Sequence, residues 1–387
     1  MMKKTILLGW CLLSLWGLSY AQNAGNLHGV ETEERGIDVH NVVKMSGNWF
    51  IAYRNGIRQV HADDDPLSPE IQTKRENRFV LKRSYFTLKK RLNPIFSVRY
   101  TMDLTVDKEG DDAGNVETRL KYLYVKAKMP FQGDYFTGMW VEAGMVHRPW
   151  LDYEQKINTY RVQDNMFIER NKIFNSADFG VTVGGNIGPK MDKAFLEEVN
   201  GAMPGKWFSY VLGIYNGGGY SSAEHNKNKV FAARLSIRPF ANRFPQLQLS
   251  GCINTGKGNA REAPAFNQLL GFMAYTGRHL TLTAQYHAGV GDFRAKYVEE
   301  GNPSKALKND GYSFFGEYRI HKTPFAVWGR FDLFEVHRSP STDQVKRIIG
   351  GLTYVISKNL RLVVNAEHNQ DKGEKNDIYE VNLEVSF

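Results

Sequence analysis

The chain has 387 residues and a formal net charge of +9, from 50 lysines and arginines against 41 aspartates and glutamates. No run of about 18 apolar residues follows the N-terminal region, which excludes a transmembrane helix. Only two cysteines occur, and Cys11 lies in that N-terminal region, so the exported chain keeps Cys252 alone and an intramolecular disulfide is excluded.

The first 21 residues have the pattern of a secretory signal peptide. Lysines precede an apolar run from Ile6 to Leu18, and Ala21 ends a small-residue cleavage site. We therefore predict a signal peptide over residues 1–21, a periplasmic segment over residues 22–44 and one domain over residues 45–387. Export makes nucleic acid an unsuitable partner for the positive charge, and favours an anionic solute or lipopolysaccharide phosphate.

About sixteen segments have the period-two alternation of a β-strand, each close to the length that a tilted transmembrane strand needs. A mean hydropathy of −0.44 is compatible with this prediction, because every second residue of such a strand faces water. The predicted strands cover residues 46–57, 78–90, 94–106, 117–129, 136–147, 178–187, 205–216, 228–239, 244–254, 266–276, 278–290, 311–321, 324–335, 345–356, 359–369 and 377–387.

The lengths of the connections also indicate a membrane barrel. Connections after even-numbered strands are short, as at 91–93, whereas those after odd-numbered strands are mostly longer and richer in charge, as at 217–228. Short turns on one side and long loops on the other are typical of outer-membrane barrels. The link at 188–204 breaks this rule, so either an extra turn lies there or the strand count is wrong by a pair.

The last strand alternates strictly from Tyr379 to the terminal Phe387. We expect these two residues to form the signal that the barrel assembly machinery reads. Together the patterns predict an all-β fold: a transmembrane antiparallel up-and-down β-barrel of about 16 strands in the outer membrane of a Gram-negative cell.

Sixteen strands leave room for an aqueous channel, in which charged side chains are solvated. Strands 78–90 and 117–129 remain ambiguous, because Arg and Lys occur on both of their faces. Cations lead only slightly in the inward-facing set, so we expect at most a weak anion preference. The residues predicted to line the pore are Arg99, Arg234, Arg238, Arg319, Arg330, Arg361, Glu317 and Glu367.

The stretch 143–150, the Phe-Ile-Glu-Arg segment at 167–170, the Gly-Val strand from 177 and the Asn-Gly pair at 216–217 resemble, in their order, the phosphate-selective porin (O/P-type) family. The resemblance implies a sixteen-stranded general or anion-preferring porin, usually a homotrimer. It also implies an inward-folded constriction loop over about 148–177. The residues expected at this constriction are Arg148, Lys156, Arg161, Glu169, Arg170 and Lys172.

The segment Phe167-Ile168-Glu169-Arg170 has a second interpretation, as a short packed helix whose Arg170 pairs with a carboxylate of the wall. The two interpretations are compatible, because such an anchor would hold a constriction in place.

Candidate catalytic and metal sites are weak. No serine lies in a Gly-x-Ser-x-Gly elbow, although His287 could approach Ser313 on a neighbouring strand. The glycines at 217–219 lack a following Lys-Ser/Thr pair, so we predict a flexible surface loop there. The acidic runs at 63–65 and 109–112 show no full oxygen cage for calcium, so a solvated loop is favoured, and calcium bridging to lipopolysaccharide is the alternative. We therefore expect no catalytic residue, no resident metal and no cofactor.

The predicted function is passive diffusion of small hydrophilic solutes through a water-filled channel, in contact with outer-membrane lipid and lipopolysaccharide. One alternative is a barrel with a closed lumen that acts as a surface binding or structural protein through its long loops. A third hypothesis, a hydrolase carried on a barrel, is disfavoured by the missing motif.

Overall fold

The computed structural model describes residues 42–61, 71–106, 114–130, 133 and 135–387. The predicted signal peptide, the periplasmic segment before residue 42 and the acidic runs at 63–65 and 109–112 lie outside the described residues. Sixteen strands form one closed antiparallel barrel in which each strand pairs with its neighbours along the chain, and the first strand closes the barrel on the last. The predicted fold is confirmed.

All sixteen predicted strands are present, and only their ends differ by a few residues. In chain order the strands are β1 Val43–His61, β2 Ile71–Arg91, β3 Phe96–Val106, β4 Val116–Lys128, β5 Phe136–His147, β6 Ala177–Ile187, β7 Phe208–Tyr215, β8 Val230–Ile237, β9 Leu247–Lys257, β10 Ala265–Thr276, β11 Leu280–Val290, β12 Val298–Glu299, β13 Asn302–Ala306, β14 Lys308–Arg319, β15 Phe325–His337, β16 Thr342–Ser357, β17 Leu360–Asp371 and β18 Glu374–Ser386. Strands β12 and β13 form a separate hairpin, which was not predicted, within the connection from β11 to β14.

Within the described ranges, three short helices lie in the connections: α1 Leu151–Ile157, α2 Phe167–Arg170 and α3 Lys193–Glu198. No helix in the described ranges is long and apolar enough to cross a membrane. Helix α3 accounts for the long link between β6 and β7, so an extra turn lies there and the strand count is right.

The two faces of the wall are separated as the alternation predicts. In β11, Thr281, Gln285 and His287 are buried inside the barrel, whereas Leu282 and Tyr286 are exposed on the outside. The outer face repeats this exposure of apolar side chains around the barrel, at Val181, Leu212, Leu235, Ile253, Leu269, Leu282, Val327, Leu352, Val364 and Val381. A closed sheet with an apolar exterior satisfies its backbone hydrogen bonds internally, as lipid requires.

Two of the connections that were predicted to be long are short. The connections after β15 and β17 cover only residues 338–341 and 372–373. The polar residues that were assigned to loops there continue the strands instead, because β17 runs to Asp371 and β18 begins at Glu374.

The ambiguous faces of β2 and β4 have a common cause, which is a β-bulge in each strand. Phe50 pairs with Arg83 but Ile51 pairs with Leu81, so Lys82 is the extra residue in β2. A bulge shifts the side-chain alternation by one position, and both Lys82 and Arg83 reach the lumen.

The bulge in β4 works in the same way. Thr101 pairs with Tyr122 but Met102 pairs with Leu120, which leaves Lys121 as the extra residue. Lys121 and Tyr122 are consequently both buried inside the barrel.

Residues 148–176, named here the inserted segment, fold into the barrel and pack on an apolar part of its inner wall. Trp150 and Phe167 of this segment are at most 1% exposed. Their core includes Phe266, Leu270 and Phe272, which point inward from β10. The predicted polar inner face is therefore wrong on this side, because the inserted segment needs an apolar surface to dock on.

We predict that Phe272→Ala loosens the inserted segment and lowers the free energy of unfolding by about 3 kcal/mol, since a large buried aromatic side chain leaves a cavity. Phe272 packs edge-on against both Trp150 and Tyr153, with ring centroids 5.5 and 6.0 Å apart. Urea unfolding in phospholipid vesicles measures the change. The neighbouring Met273→Ala, on the lipid-facing side, is the control, and an equal loss in both variants would contradict the prediction.

Candidate permeation pathway

The inserted segment is fixed to the wall at its start by Arg148, which is 1% exposed. The Arg148 guanidinium donates to Asn254 Oδ1 at 2.8 Å and lies 3.7 Å from Asp178 Oδ2. Tyr153 of α1 donates to Gln248 Oε1 at 3.2 Å. The first turn of the segment is thus held against β6 and β9.

The middle of the inserted segment crosses to the opposite wall. Tyr160 donates to Glu317 Oε1 at 2.9 Å, accepts from Thr353 Oγ1 at 3.0 Å and stacks on Trp328 with ring centroids 4.5 Å apart. Gln163 Nε2 donates to Glu367 Oε2 at 2.8 Å. Because contacts reach β14 to β17 as well, the segment spans the lumen and divides it.

Helix α2 ends the crossing with a partly buried ion pair. The Arg170 guanidinium donates to Glu367 Oε1 and lies 3.7 Å from Asp164 Oδ2. Phe167 meets the buried His287 ring edge-on, with centroids 5.7 Å apart. The geometry matches the anchor interpretation of this segment, in which Arg170 pairs with a carboxylate of the wall.

The outer loops close the barrel above the apolar half of the lumen. The Phe293 backbone N–H donates to Ile173 O at 3.0 Å, and the Tyr297 hydroxyl donates to Asn171 O at 2.7 Å. Asn259 Nδ2 donates to Ala223 O at 2.7 Å, which joins the loops after β7 and β9. These loops therefore rest on the inserted segment and on each other.

The glycines at 217–219 are part of this closed region, so the predicted flexible surface loop is wrong. All three are buried, and the Gly217 N–H donates to Asp178 Oδ2 at 3.1 Å. Gly219 has a φ of +75°, and a Cβ there would lie 2.3 Å from Asn175 Nδ2. The glycines permit close packing of the loop.

Burial also perturbs the carboxyl group of Asp292, in the connection after β11. Asp292 accepts hydrogen bonds from the backbone N–H groups of Arg294, Lys296 and Tyr297 at 2.6–2.8 Å. Its pKa is raised, chiefly by burial, and these hydrogen bonds oppose the shift. The carboxylate fixes the start of the connection that carries β12 and β13.

Open space remains beside β1 to β8 and β16 to β18, at the end of the barrel where the chain terminates. One cavity has a volume of about 540 Å³ and reaches from Tyr85 and Lys121 down to Ser357. A second, of about 730 Å³, lies beneath α1 between Trp140 and Lys190. Both cavities are lined by Arg99, His147 and Asp152.

The cations beside these cavities lie over aromatic rings. Lys121 Nζ is 4.1 Å from the Tyr85 ring centroid, and the Arg99 guanidinium carbon is 4.6 Å from that of Tyr122. Within the described part of the chain, no carboxylate oxygen forms an ion pair with Lys121 or Arg99. An aromatic face attracts a cation without neutralising its charge, so both retain a positive field toward the cavity.

Three cations converge on one phenol at the deep end of the first cavity. The Tyr85 hydroxyl accepts from Lys121 Nζ at 2.9 Å, from Arg83 at 3.3 Å and from Arg161 at 3.3 Å. Glu169 lies 3.5 Å from Arg161 and offsets part of this charge. The bulges in β2 and β4 and the inserted segment together produce this cluster.

Sequence reasoning missed Lys82, Arg83 and Tyr85 as lumen residues. A strict period-two reading places Lys82 and Arg83 on opposite faces, whereas the bulge brings both inside. One indication of the bulge was present in the sequence, because basic residues occur on both predicted faces of 78–90.

The structure distributes the six predicted constriction residues over different environments. Arg161 and Glu169 form a buried pair next to Tyr85, and Arg170 is paired with Glu367. Arg148 is a buried anchor, Lys156 lies in the second cavity with Asp152 Oδ2 at 2.6 Å, and Lys172 is exposed with a φ of 58°. Three of the six line a cavity: Arg161 borders the first, and Lys156 and the buried Arg148 border the second.

All eight residues predicted to line the pore lie on the inner face, but three of them border a described cavity. Arg99 and Arg361 line the first cavity, and Arg99 and Arg234 line the second. The other five hold structure together: Arg238 donates to Met203 O, Arg319 to Gly277 O, Arg330 to Asp332, Glu317 accepts from Tyr160, and Glu367 accepts from Gln163.

The two residues of the expected assembly signal lie near the seam between β1 and β18. Tyr379 is exposed on the outer face, and the Phe387 ring packs on Trp49 with centroids 5.2 Å apart. Phe387 N also donates to Gly47 O at 3.1 Å, so the terminal residue completes the closure of the barrel.

The proposed approach of His287 to Ser313 does not produce a nucleophile–base pair. Ser313 Oγ donates to Asp332 Oδ1 at 2.7 Å, whereas His287 Nε2 lies 3.1 Å from Asn309 Oδ1. Each side chain is engaged with a different partner on the inner wall.

Several solved structures share this architecture. An anion-selective porin from Comamonas acidovorans has a TM-score of 0.58 at 11% identity, over 89% of this chain and 99% of that porin. OmpF of Salmonella typhi, in complex with daunomycin, has a TM-score of 0.56 at 11% identity, over 91% and 99%. OmpT, an outer membrane protein of Vibrio cholerae, has a TM-score of 0.54 at 9% identity, over 89% and 97%.

No protein-family model matches the chain, and no curated protein matches it in sequence. At identities this low, the structural comparisons establish the fold alone. The chain has the closed sixteen-stranded architecture of an outer-membrane β-barrel.

We predict that Arg170→Ala lowers the free energy of unfolding by about 3 kcal/mol, because it leaves the buried Glu367 carboxylate without its counter-ion. The matched control is Lys156→Ala, which removes an exposed pair with Asp152 and should cost less than about 1 kcal/mol. Both are measured by urea unfolding in vesicles. Equal effects of the two substitutions would show that Arg170 does not anchor the segment.

Proposed function

We propose that the protein is an outer-membrane porin through which small hydrophilic solutes diffuse passively. The supporting observation is a closed barrel whose inserted segment leaves one cavity beside it and a second cavity beneath α1. Those cavities are bordered by polar and charged side chains, and lipid-facing apolar residues surround the wall. A lumen of sixteen strands is wide enough to keep an aqueous passage beside such a segment.

We further propose a weak preference for anions. Lys121 and Arg99 face the cavities without an ion-paired carboxylate among the described residues, which favours an anion over a cation in the passage. The preference is limited because Arg161 is paired with Glu169 and Arg361 with Glu384 Oε2 at 2.7 Å. Carboxylates therefore accompany several cations along the same path.

Membership of the phosphate-selective porin (O/P-type) family belongs to this proposal as well. It is supported by the order of the motifs in the chain and by the inserted segment, whose position matches the constriction loop that the resemblance implies. Assembly as a homotrimer, contact with lipopolysaccharide and insertion by the barrel assembly machinery are proposed on the same basis.

A barrel with a closed lumen is the second candidate. It is favoured by one observation, the contacts that join the outer loops to the inserted segment above the apolar half of the lumen. Purified protein in a planar bilayer separates the two functions. A porin gives stepwise conductance increments, whereas a closed barrel gives none until the inserted segment is removed.

Lys121→Gln tests the source of the selectivity. We expect the chloride-to-potassium permeability ratio to fall about two- to five-fold, because about 0.4–1 kcal/mol of electrostatic stabilisation of the anion is lost. Reversal potentials in a salt gradient measure the ratio. Lys346→Gln, on the outer face beside Phe331, is the matched control. An unchanged ratio in Lys121→Gln would remove this residue from the pathway.

A further inference from the structure

A group of metal-ligating side chains lies on the outer face of the barrel, away from the lumen. Asp310 lies two residues before Tyr312 on β14, and Glu335 lies two residues after Leu333 on β15. The side chains of all four residues point away from the lumen. Tyr312 belongs to an aromatic group with Phe331, their ring centroids 6.1 Å apart. Aromatic residues on the lipid face mark the interface, so the group lies just beyond it at the outer end of the wall.

The paired strands bring three ligand-bearing side chains together. Asp310 is the direct cross-strand partner of Glu335, and His337 follows Glu335 on the same face. The ligand atoms of the three residues all lie within 4.8 Å of one another, and His337 Nε2 contacts Asp310 Oδ1. Because the β-ladder fixes the three backbone positions, the donors are arranged before any ion arrives.

Electrostatics supplies an independent reason for a cation at this position. Like charges directly opposite each other on paired strands are destabilising, and Asp310 and Glu335 are such a pair. Gln344 Nε2 donates to Glu335 at 2.6 Å, which supplies a hydrogen bond but no charge. Lys308 lies directly opposite His337, two residues from Asp310, and among the described residues it forms no ion pair with either carboxylate. A dication between the donors would neutralise both carboxylates.

We propose that Asp310, Glu335 and His337 bind a divalent transition-metal ion of the zinc class at the outer rim of the barrel. One imidazole and two carboxylates leave a fourth position for water, which suits a four-coordinate zinc ion. Calcium and magnesium prefer sets of six or more oxygens, so the imidazole argues against them. The side chains of His337 and Asp310 are 41% and 35% exposed, which makes the site accessible from solvent.

Zinc binding by the full-length protein in detergent tests this site. Titration calorimetry with Zn²⁺ alone should show one site per chain, and Glu335→Gln and His337→Ala should each weaken it about tenfold or more, since one of three ligands is lost. The same Zn²⁺ concentration should raise the unfolding temperature of the wild type but not of His337→Ala. Mg²⁺ at equal concentration should produce neither effect.

The control variant is His368→Ala on β17. His368 Nδ1 contacts Asp377 Oδ1 at 2.6 Å on the same outer face, but no second carboxylate completes a set of three there within the described residues. The proposal is overturned if the wild type binds no Zn²⁺, if His337→Ala binds it as tightly as the wild type, or if His368→Ala abolishes binding. Competition by Mg²⁺ at equal concentration would overturn the class of metal.

Discussion

A strand in lipid has no water to satisfy its backbone, and this constraint governs the whole molecule. The sheet must close, and it does so where β1 meets β18 and Phe387 bonds to Gly47. Closure separates two solvents, lipid outside and water inside. The residues along each strand alternate between apolar and polar because their side chains face lipid and water in turn.

The closed wall alone would enclose a wide and undivided lumen, so the inserted segment determines what the lumen can do. Its anchors are of two kinds: apolar packing on β10 around Phe272, and the partly buried ion pair of Arg170 with Glu367. The apolar anchors fill one half of the barrel, and the loops above them close that half. The first cavity lies on the side where Lys121 and Arg99 lie over tyrosine rings.

The strands of the wall could be predicted from the sequence because the alternation within each strand shows which residues face lipid and which face the lumen. All sixteen strands were found in this way. The lumen was harder to predict, since its contents depend on pairing between distant residues. Inward apolar residues such as Leu270 look like errors in the alternation until the inserted segment is known to pack on them. The bulges at Lys82 and Lys121 likewise appear only as an ambiguous pattern, because pairing register is not a local property.

The central claim is that water and solute pass along the inserted segment on the side of the first cavity. Thr159 of that segment is exposed and lines the cavity, whereas the native Cys252 is 2% exposed beneath the apolar anchors. A charged, membrane-impermeant thiol reagent should reduce the single-channel current of Thr159→Cys and leave that of the wild type unchanged. Labelling of Thr159→Cys without any loss of current would contradict the account.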